Sequence, residues 1–430
     1  MKVIKYPNRT DWSEILRRPT QTVDDIEATV NQIFEDVQRN GDAAIQKYTS
    51  LFDGIELTNA HVSEEEIEQA SKLVSEDLKD AIRLAKSNIE KFHTAQKTDT
   101  VLLETMNGVE CWQQKRPIQK VGLYIPGGTA PLFSTVLMLT VPAKIAGCKE
   151  IVLCSPPNSE GKIANEILYA AKLCGVTKIF KVGGIQAIAG LTFGTKTIPQ
   201  VYKIFGPGNQ FVTVAKQLST KYGVAIDMPA GPSELLVVAD DSAVPAYVAA
   251  DLLSQAEHGT DSQVILVSTS DKLIDSVSEE LQKQLKELPR VAIASKAIDN
   301  SRSILVKDDQ EALALINEYG PEHFIVCTNN DDFYVNNIAN AGSVFVGNYT
   351  PESAGDYASG TNHTLPTNGF SKAYSGVNLD SFTKSITFQK ISKEGIKNIG
   401  RSIELMATAE GLQAHKNAVS IRLKDILKPS

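Results

Sequence analysis

Between residues 23 and 92 the apolar side chains recur with a helical period. In residues 23–39 they fall at Val23, Ile26, Val30, Ile33, Phe34 and Val37, close to the 3.6-residue repeat of an amphipathic helix. Ser63-Glu64-Glu65-Glu66 has the form of a capping box. Its serine hydroxyl closes the helix start, the glutamate three residues on returns the bond, and the acidic charge sits at the positive end of the helix dipole. From there Ile67, Ala70, Leu73, Val74, Leu78, Ile82, Ala85, Ile89 and Phe92 continue one stripe. These stripes predict packing helices without chemistry of their own.

Beyond residue 120 the texture changes. Short apolar runs occur at 121–125, 151–154, 179–182 and 201–205, each followed by Gly or Pro and then a helical pattern. Segments 130–146 and 162–173 are the clearest of those helices. A second set of runs lies at 235–238, 264–267, 304–306, 324–327 and 344–346, with helical segments such as 243–256 and 273–288 between them. Strands alternating with helices predict βαβ units and parallel sheets. The expectation is an α/β chain with two sheets, crossing near Pro229-Ala230-Gly231-Pro232. After Gly376 the pattern predicts one strand, 381–388, and then helical segments to the end. That tail is too short for a core of its own, so it is expected to pack on another domain or another subunit. No internal repeat or low-complexity segment interrupts the chain.

Composition narrows the class. The chain has 430 residues, 42% apolar and 22% charged, which fits two or three globular domains and not disorder. A net charge of −8 argues against a nucleic-acid surface. No apolar run reaches the ~18 residues of a membrane helix, and the start, MKVIKYPNRTDW, lacks a signal-peptide core. A soluble, cytoplasmic protein is expected. The cysteines at 111, 148, 154, 174 and 327 are scattered without C-x-x-C spacing, so neither a disulfide frame nor a thiolate zinc site is indicated.

Three glycine turns stand where predicted strands end and helices begin: Tyr124-Ile125-Pro126-Gly127-Gly128-Thr129, Gly183-Gly184-Ile185-Gln186 and Gly206-Pro207-Gly208-Asn209. Glycine permits close backbone approach, a helix N-terminus offers free N–H groups to phosphate, and ligands of open α/β sheets sit at the carboxyl ends of strands. One such turn is explained by chain geometry alone. Three in one βαβ region point to a ligand, such as a nucleotide bound without the G-x-G-x-x-G or G-x-x-x-x-G-K-[ST] fingerprint.

Of six histidines, His61 and His93 belong to the helical region and read as packing or solvated residues. The other four lie after residue 250. In Asp251-Leu252-Leu253-Ser254-Gln255-Ala256-Glu257-His258-Gly259 a helix ending at Gly259 would put Gln255 and His258 on one face, as two metal ligands or as a plain capped end. Pro321-Glu322-His323 opens a predicted strand with an adjacent carboxylate and imidazole, a pair able to exchange protons near neutrality. Neighbours on a strand point to opposite faces, so only a loop conformation lets both act on one substrate. Asp356 and His363 lie in a Gly, Ser and Asn-rich loop of the kind that carries sites, and Glu410 and His415 flank Gly411 in the tail. Two His, an Asp and a Gln make a nitrogen and oxygen set suited to zinc or a similar divalent ion. Spacing alone does not show that they converge.

The stretches Ile226-Asp227-Met228-Pro229-Ala230-Gly231-Pro232-Ser233-Glu234 and 251–258 resemble the histidinol dehydrogenase signature. The 124–134 loop, the 206–209 turn, Pro321-Glu322-His323, 353–363 and 409–417 resemble the same family, in the same order, and the similarity runs from about residue 20 to 425. The resemblance implies two Rossmann-like domains with parallel sheets, aldehyde-dehydrogenase-like, a helical N-terminal region and an extended C-terminal tail. It groups residues 1–120 with 236–378 as the substrate and zinc side, 121–235 as the NAD side, and 379–430 as a tail exchanged across a homodimer. It also implies oxidation of L-histidinol through L-histidinal to L-histidine with NAD and one zinc per subunit. By motif the zinc ligands would be Gln255, His258, Asp356 and His415, with the substrate's nitrogens completing the shell. His323 would be the general base and Glu322 would activate the water that hydrates the aldehyde. Ser233, His363 and Glu410 would contact substrate together with His323 and the metal ligands, and Tyr124, Gln186 and Asn209 would contact NAD. Glu410 and His415 are open to two readings, in the same chain's site or in the partner's.

Two rivals remain at this level. An aldehyde-dehydrogenase-like route through a thiohemiacetal would need an activated thiol, for which Cys154, at the end of a predicted strand, is the best placed. A regulatory protein that binds metal and nucleotide on the same fold would need no turnover at all.

Overall fold

The computed structural model describes residues 1–19, 24–56, 59–127, 131–229 and 231–428. Val23, Gly128, Thr129, Ala130 and Ala230, which the sequence places at a helix start, in a glycine turn and at the crossing, lie outside the described residues. The chain divides into two compact units, Met1–Gln96 with Ile118–Phe382, and Lys97–Pro117 with Thr383–Ser430.

The first unit holds two sheets. One has six strands in the order Lys2–Lys5, Arg302–Leu305, Gln263–Ser268, Glu234–Ala239, His323–Cys327 and Ser343–Val346, all neighbours parallel. Its central strand reads Glu-Leu-Leu-Val-Val-Ala without polar alternation because both faces are covered. Leu235 and Val237 pack with Val248, Leu252, Ile274 and Ala294 from three helices, while Leu236 and Val238 pack with Trp12, Leu16, Ile316 and Tyr319. The other sheet orders Lys178–Lys181, Glu150–Ser155, Lys120–Tyr124, Lys203–Phe205 and Ala225–Ile226, again all parallel. Every apolar run read as a strand therefore lies on one. The predicted α/β class with two parallel sheets stands.

Three expectations change. The stripe from Ile67 to Phe92 is two helices, Glu64–Leu73 and Glu76–Thr94, because Ser75 breaks it and accepts the Leu78 N–H at 3.4 Å. The capping box at Ser63 does form, with Ser63 Oγ accepting from Glu66 N–H at 3.2 Å and Glu66 Oε2 from Ser63 N–H at 2.9 Å. The grouping of 1–120 with the six-stranded sheet is divided. Only the first residues join that sheet, whereas the helices between residues 24 and 94 cover the five-stranded one. Ile33, Phe34, Ile45 and Tyr48 pack with Val152 and Ile188 on one of its faces, and Ala70, Ile82 and Ile89 pack with Leu123 and Leu137 on the other. An apolar stripe specifies that a face is buried, not which sheet buries it.

The tail is the third change. Within the second unit, Thr383–Ile391 pairs antiparallel with Val109–Pro117, which pairs in turn with Val101–Met106. Trp112 stacks on Phe388 at 5.3 Å between ring centroids, and helices Lys393–Ala409 and Gln413–Ile426 pack on one another. Ser381 and Phe382, placed by the sequence on the tail strand, instead end a 3₁₀ turn, Leu379–Phe382. The tail thus gains a small sheet from residues 97–117. Val109–Pro117 reads Val-Glu-Cys-Trp-Gln-Gln-Lys-Arg-Pro, too polar to register as an apolar run. Among the described residues, no helix is long and apolar enough to cross a membrane.

Candidate active site

Glu322 and His323 stand at the amino end of the six-stranded sheet, where His323 is the first strand residue and pairs in register with Leu235. Glu322 precedes the strand, which frees its side chain from the alternation that would send it to the opposite face. Its Oε2 accepts the Glu234 N–H at 2.8 Å and lies 3.6 Å from His323 Nδ1. His323 Nδ1 also faces the Glu234 carbonyl at 3.2 Å and Glu352 Oε1 at 3.6 Å, and its Nε2 is 3.8 Å from Asp356 Oδ1. Burial alone would lower the imidazole's pKa, but the carboxylates of Glu352, Glu322 and Asp356 outweigh it and raise the pKa to about 10.

Glu352 and Asp356 share the helix Glu352–Tyr357, one turn apart. Glu352 is 1% exposed. Burial pushes its carboxyl up to about 8, against the pull of His323 and with the repulsion of Asp356 and Glu322. It accepts from Ser254 Oγ at 3.3 Å. Gln255 is fully buried with its side-chain amide against Glu352 and the Glu234 N–H; with its nitrogen turned toward Glu352 it donates there, and its oxygen accepts the Glu234 N–H at 3.1 Å. His323, Glu352 and Asp356 offer ligand atoms within 4.8 Å of one another. Sequence reasoning missed Glu352. The available signal was its spacing of four before Asp356, which places both on one helical face.

His363 adjoins this group. Its Nδ1 meets the Asp356 carbonyl at 2.8 Å, so that nitrogen carries the proton, and its Nε2 faces Thr135 Oγ1 at 3.0 Å. Burial lowers its pKa, although Asp356 opposes the shift. The helix carrying Gln255, Pro245–Ala256, ends before His258 and not at Gly259, so His258 leaves the helix and is exposed while Gln255 stays inside. Ser233 is half-buried beside Glu234. Glu410 and His415 belong to the second unit, where both are exposed, at the end of one helix and in the first turn of the next. His93 is a fully buried packing residue whose Nδ1 meets Ile89 O at 2.9 Å, and His61 is exposed against Phe180.

The glycine turns lie at the carboxyl ends of the five-stranded sheet. There a cavity of about 860 Å³ is lined by Tyr124, Gly127, Gly184, Gln186 and Asn209 among others, within the size range of cofactor sites. Tyr124 Oη accepts the Gly184 N–H at 3.1 Å, and Asn209 caps its helix by accepting the Val212 N–H at 3.1 Å. Gly206 has φ +125°, and a Cβ there would run into the Tyr124 carbonyl oxygen. The turn is braced by the buried pair Lys216 and Asp227, 2.5 Å apart, with Lys216 donating to Gly206 O and Asp227 accepting its N–H. Gln186 Oε1 and Ser155 Oγ, both on the cavity wall, are buried without a hydrogen-bond partner among the described residues. Cys154 is fully buried and its thiol is raised far above the ordinary range by that burial. Burial also holds Cys148, Cys174 and Cys327 up at about 12. The thiol route loses its nucleophile.

Known proteins resemble this chain over nearly its whole length. The family model described as histidinol dehydrogenase matches residues 16–423. A histidinol dehydrogenase of Bacteroides thetaiotaomicron is 59% identical over 426 residues, covering 99% of this chain and 100% of that relative. One of Escherichia coli K12 is 54% identical over 413 residues, covering 95% and 94%. The crystal structure of histidinol dehydrogenase from Elizabethkingia anophelis superposes with a TM-score of 0.98 at 54% identity, covering 100% of this chain and 99% of that one.

Proposed function

The chain belongs to the histidinol dehydrogenase family, and from that premise we propose that it oxidises L-histidinol to L-histidinal and then to L-histidine with NAD and one bound zinc. The observation that carries this reading is the imidazole of His323 set among Glu322, Glu352 and Asp356 in a buried pocket. Carboxylates crowded together at low solvent exposure are costly without a cation, so the donor set fits a divalent ion. Gln255, His258, Asp356 and His415 are the proposed ligands, with Glu352 beside them. The unpartnered polar atoms of Gln186 and Ser155 fit a cofactor with groups to satisfy them, and Tyr124, Gln186 and Asn209 are proposed to hold NAD.

When bound, zinc would supply a positive centre for the substrate's nitrogens, and NAD the hydride acceptor. Positive charge among the carboxylates would also lower the pKa of His323 toward the range a base needs. His323 then takes the alcohol proton and later a proton of the aldehyde hydrate. Glu322, oriented by the Glu234 N–H, deprotonates the water that forms that hydrate. His363, Ser233 and Glu410 hold the substrate. Residues 121–235 form the NAD side and 236–378 the zinc and substrate side. The protein works as a cytoplasmic homodimer whose tail, 379–430, brings His415 and Glu410 to the partner's site. Leu405, Met406, Leu412 and Ile421, exposed on the same helices and the turn between them, support an interface there.

The test is stoichiometric. Histidinol-dependent formation of two NADH per histidine, lost with a chelator and restored by zinc, is expected. No NADH from metal-replete protein would leave a binding role without turnover.

A further inference from the structure

The cavity at the carboxyl ends of the five-stranded sheet has one wall that the proposed NAD contacts leave unexplained. Phe52 and Asp53 both line it, and they end the helix Asp42–Asp53. A carboxylate there opposes the helix dipole, whose C-terminal end is already negative. The helix is closed without it, by Gly54 in the left-handed region donating its N–H to Ser50 O at 3.1 Å. Asp53 Oδ2 is buried and has no hydrogen-bond partner among the described residues. Burial raises the Asp53 pKa above its ordinary value, and its charge is felt at the hydroxyl of Tyr124. Lys162 is the other charged residue among those lining the cavity, and it is paired with Glu160 at 3.2 Å. Nothing structural accounts for a half-buried acid in this position.

Phe52 supplies the second half of the feature. Its ring stacks on Tyr48 at 5.8 Å, yet the residue remains 53% exposed. An aromatic ring open to a cavity, followed at once by an acceptor with no donor, matches a nucleoside. The base stacks on the ring and the cis-diol of the ribose donates hydrogen bonds to the carboxylate. We propose that Phe52 and Asp53 bind the adenosine half of the dinucleotide, and that Asp53 selects an unphosphorylated ribose over one carrying a 2′-phosphate. A 2′-phosphate would remove one of the two hydroxyl donors and set its own negative charge against a carboxylate that no cation pairs with among the described residues. This inference rests on the reading that the cavity takes NAD.

Binding, measured without turnover, tests it. Titration calorimetry of the zinc-loaded enzyme with NAD⁺, NADP⁺ and ADP-ribose gives dissociation constants for the original protein, Asp53→Asn, Asp53→Ser and Gln186→Ala. Like charges in contact cost several kcal/mol, so preference for NAD⁺ over NADP⁺ is expected to exceed ~100-fold. In Asp53→Asn and Asp53→Ser it should fall at least about tenfold, mostly through tighter NADP⁺ binding, and ADP-ribose should bind more weakly. The melting temperature of Asp53→Asn should hold or rise, since the substitution relieves the dipole clash. A structural role for Asp53 predicts a lower melting temperature and an unchanged ratio. If both Asp53 variants keep the original preference while Gln186→Ala weakens NAD⁺ and NADP⁺ alike, the Asp53 inference is overturned and the cavity reading survives. If Gln186→Ala leaves both dinucleotides unaffected, the cavity is not the dinucleotide site and the inference falls with it.

Discussion

Arg18 is far from Glu322 and His323 in sequence, yet replacing it should cost both stability and turnover. Its guanidinium meets Glu234 in two bonds, Nε to Oε1 at 2.5 Å and Nη2 to Oε2 at 2.8 Å, and Nη2 also reaches Tyr319 O at 2.9 Å. It lies 3.9 Å over the Tyr319 ring. The two side chains are only 16% and 2% exposed. Arg18→Met would keep much of the packing while leaving the Glu234 carboxylate buried without a counter-charge. Breaking such a pair from one side costs about 3–5 kcal/mol. The backbone of Glu234 orients both residues of the proposed proton-handling pair, through its N–H to Glu322 and its carbonyl to His323. A displaced Glu234 should therefore lower kcat by about 10- to 100-fold, the usual consequence of a small misplacement. Urea unfolding followed by circular dichroism measures the stability term. Arg18→Met combined with Glu234→Gln should lose less than Arg18→Met alone, because the uncompensated charge is gone and an acceptor for the Asn368 N–H remains. A loss below about 1 kcal/mol for Arg18→Met would mark the pair as an ordinary surface contact, and a double variant as unstable as the sum of its parts would refute the coupling.

Glu322→Gln should slow histidinal oxidation by about 10²- to 10⁴-fold, the span of a lost general base, so that histidinal accumulates in single-turnover assays. Normal oxidation of added histidinal would remove Glu322 from that role. Gly206→Ala should destabilise the chain by about 1–3 kcal/mol through its strained backbone and weaken NAD binding by displacing Tyr124, as read by thermal melting and NADH fluorescence. Unchanged affinity would mean that the turn does not position the cofactor. Mixing inactive His258→Ala and His415→Ala subunits should restore part of the activity, because one site of each heterodimer draws neither substituted residue. Proven heterodimers without activity would contradict sharing between chains.

What was legible in the sequence is what local chemistry determines. Leu235 to Val238 announce a doubly covered strand because four consecutive apolar side chains leave no polar face. The turns at Gly184 and Gly206 announce backbone that other residues cannot adopt, and both have positive φ. Lys2–Lys5 passed unseen because its two lysines flank only two apolar residues, so its place beside Arg302–Leu305 comes from the sheet edge it joins and not from its own pattern. Glu352 is the sharper case. Within Pro351-Glu352-Ser353 it looks like any solvated acid near a helix start, where a carboxylate favours the dipole. Its burial is made by Ser254, Gln255 and His323, which reach it from two other elements. A motif records which residues chemistry needs at short spacing, whereas the surroundings that set a carboxylate near pH 8 are assembled only by the fold. The family resemblance named Glu322, His323 and Asp356, and the packing sets Glu352 beside them as a third carboxylate whose charge the proposed cation would have to share.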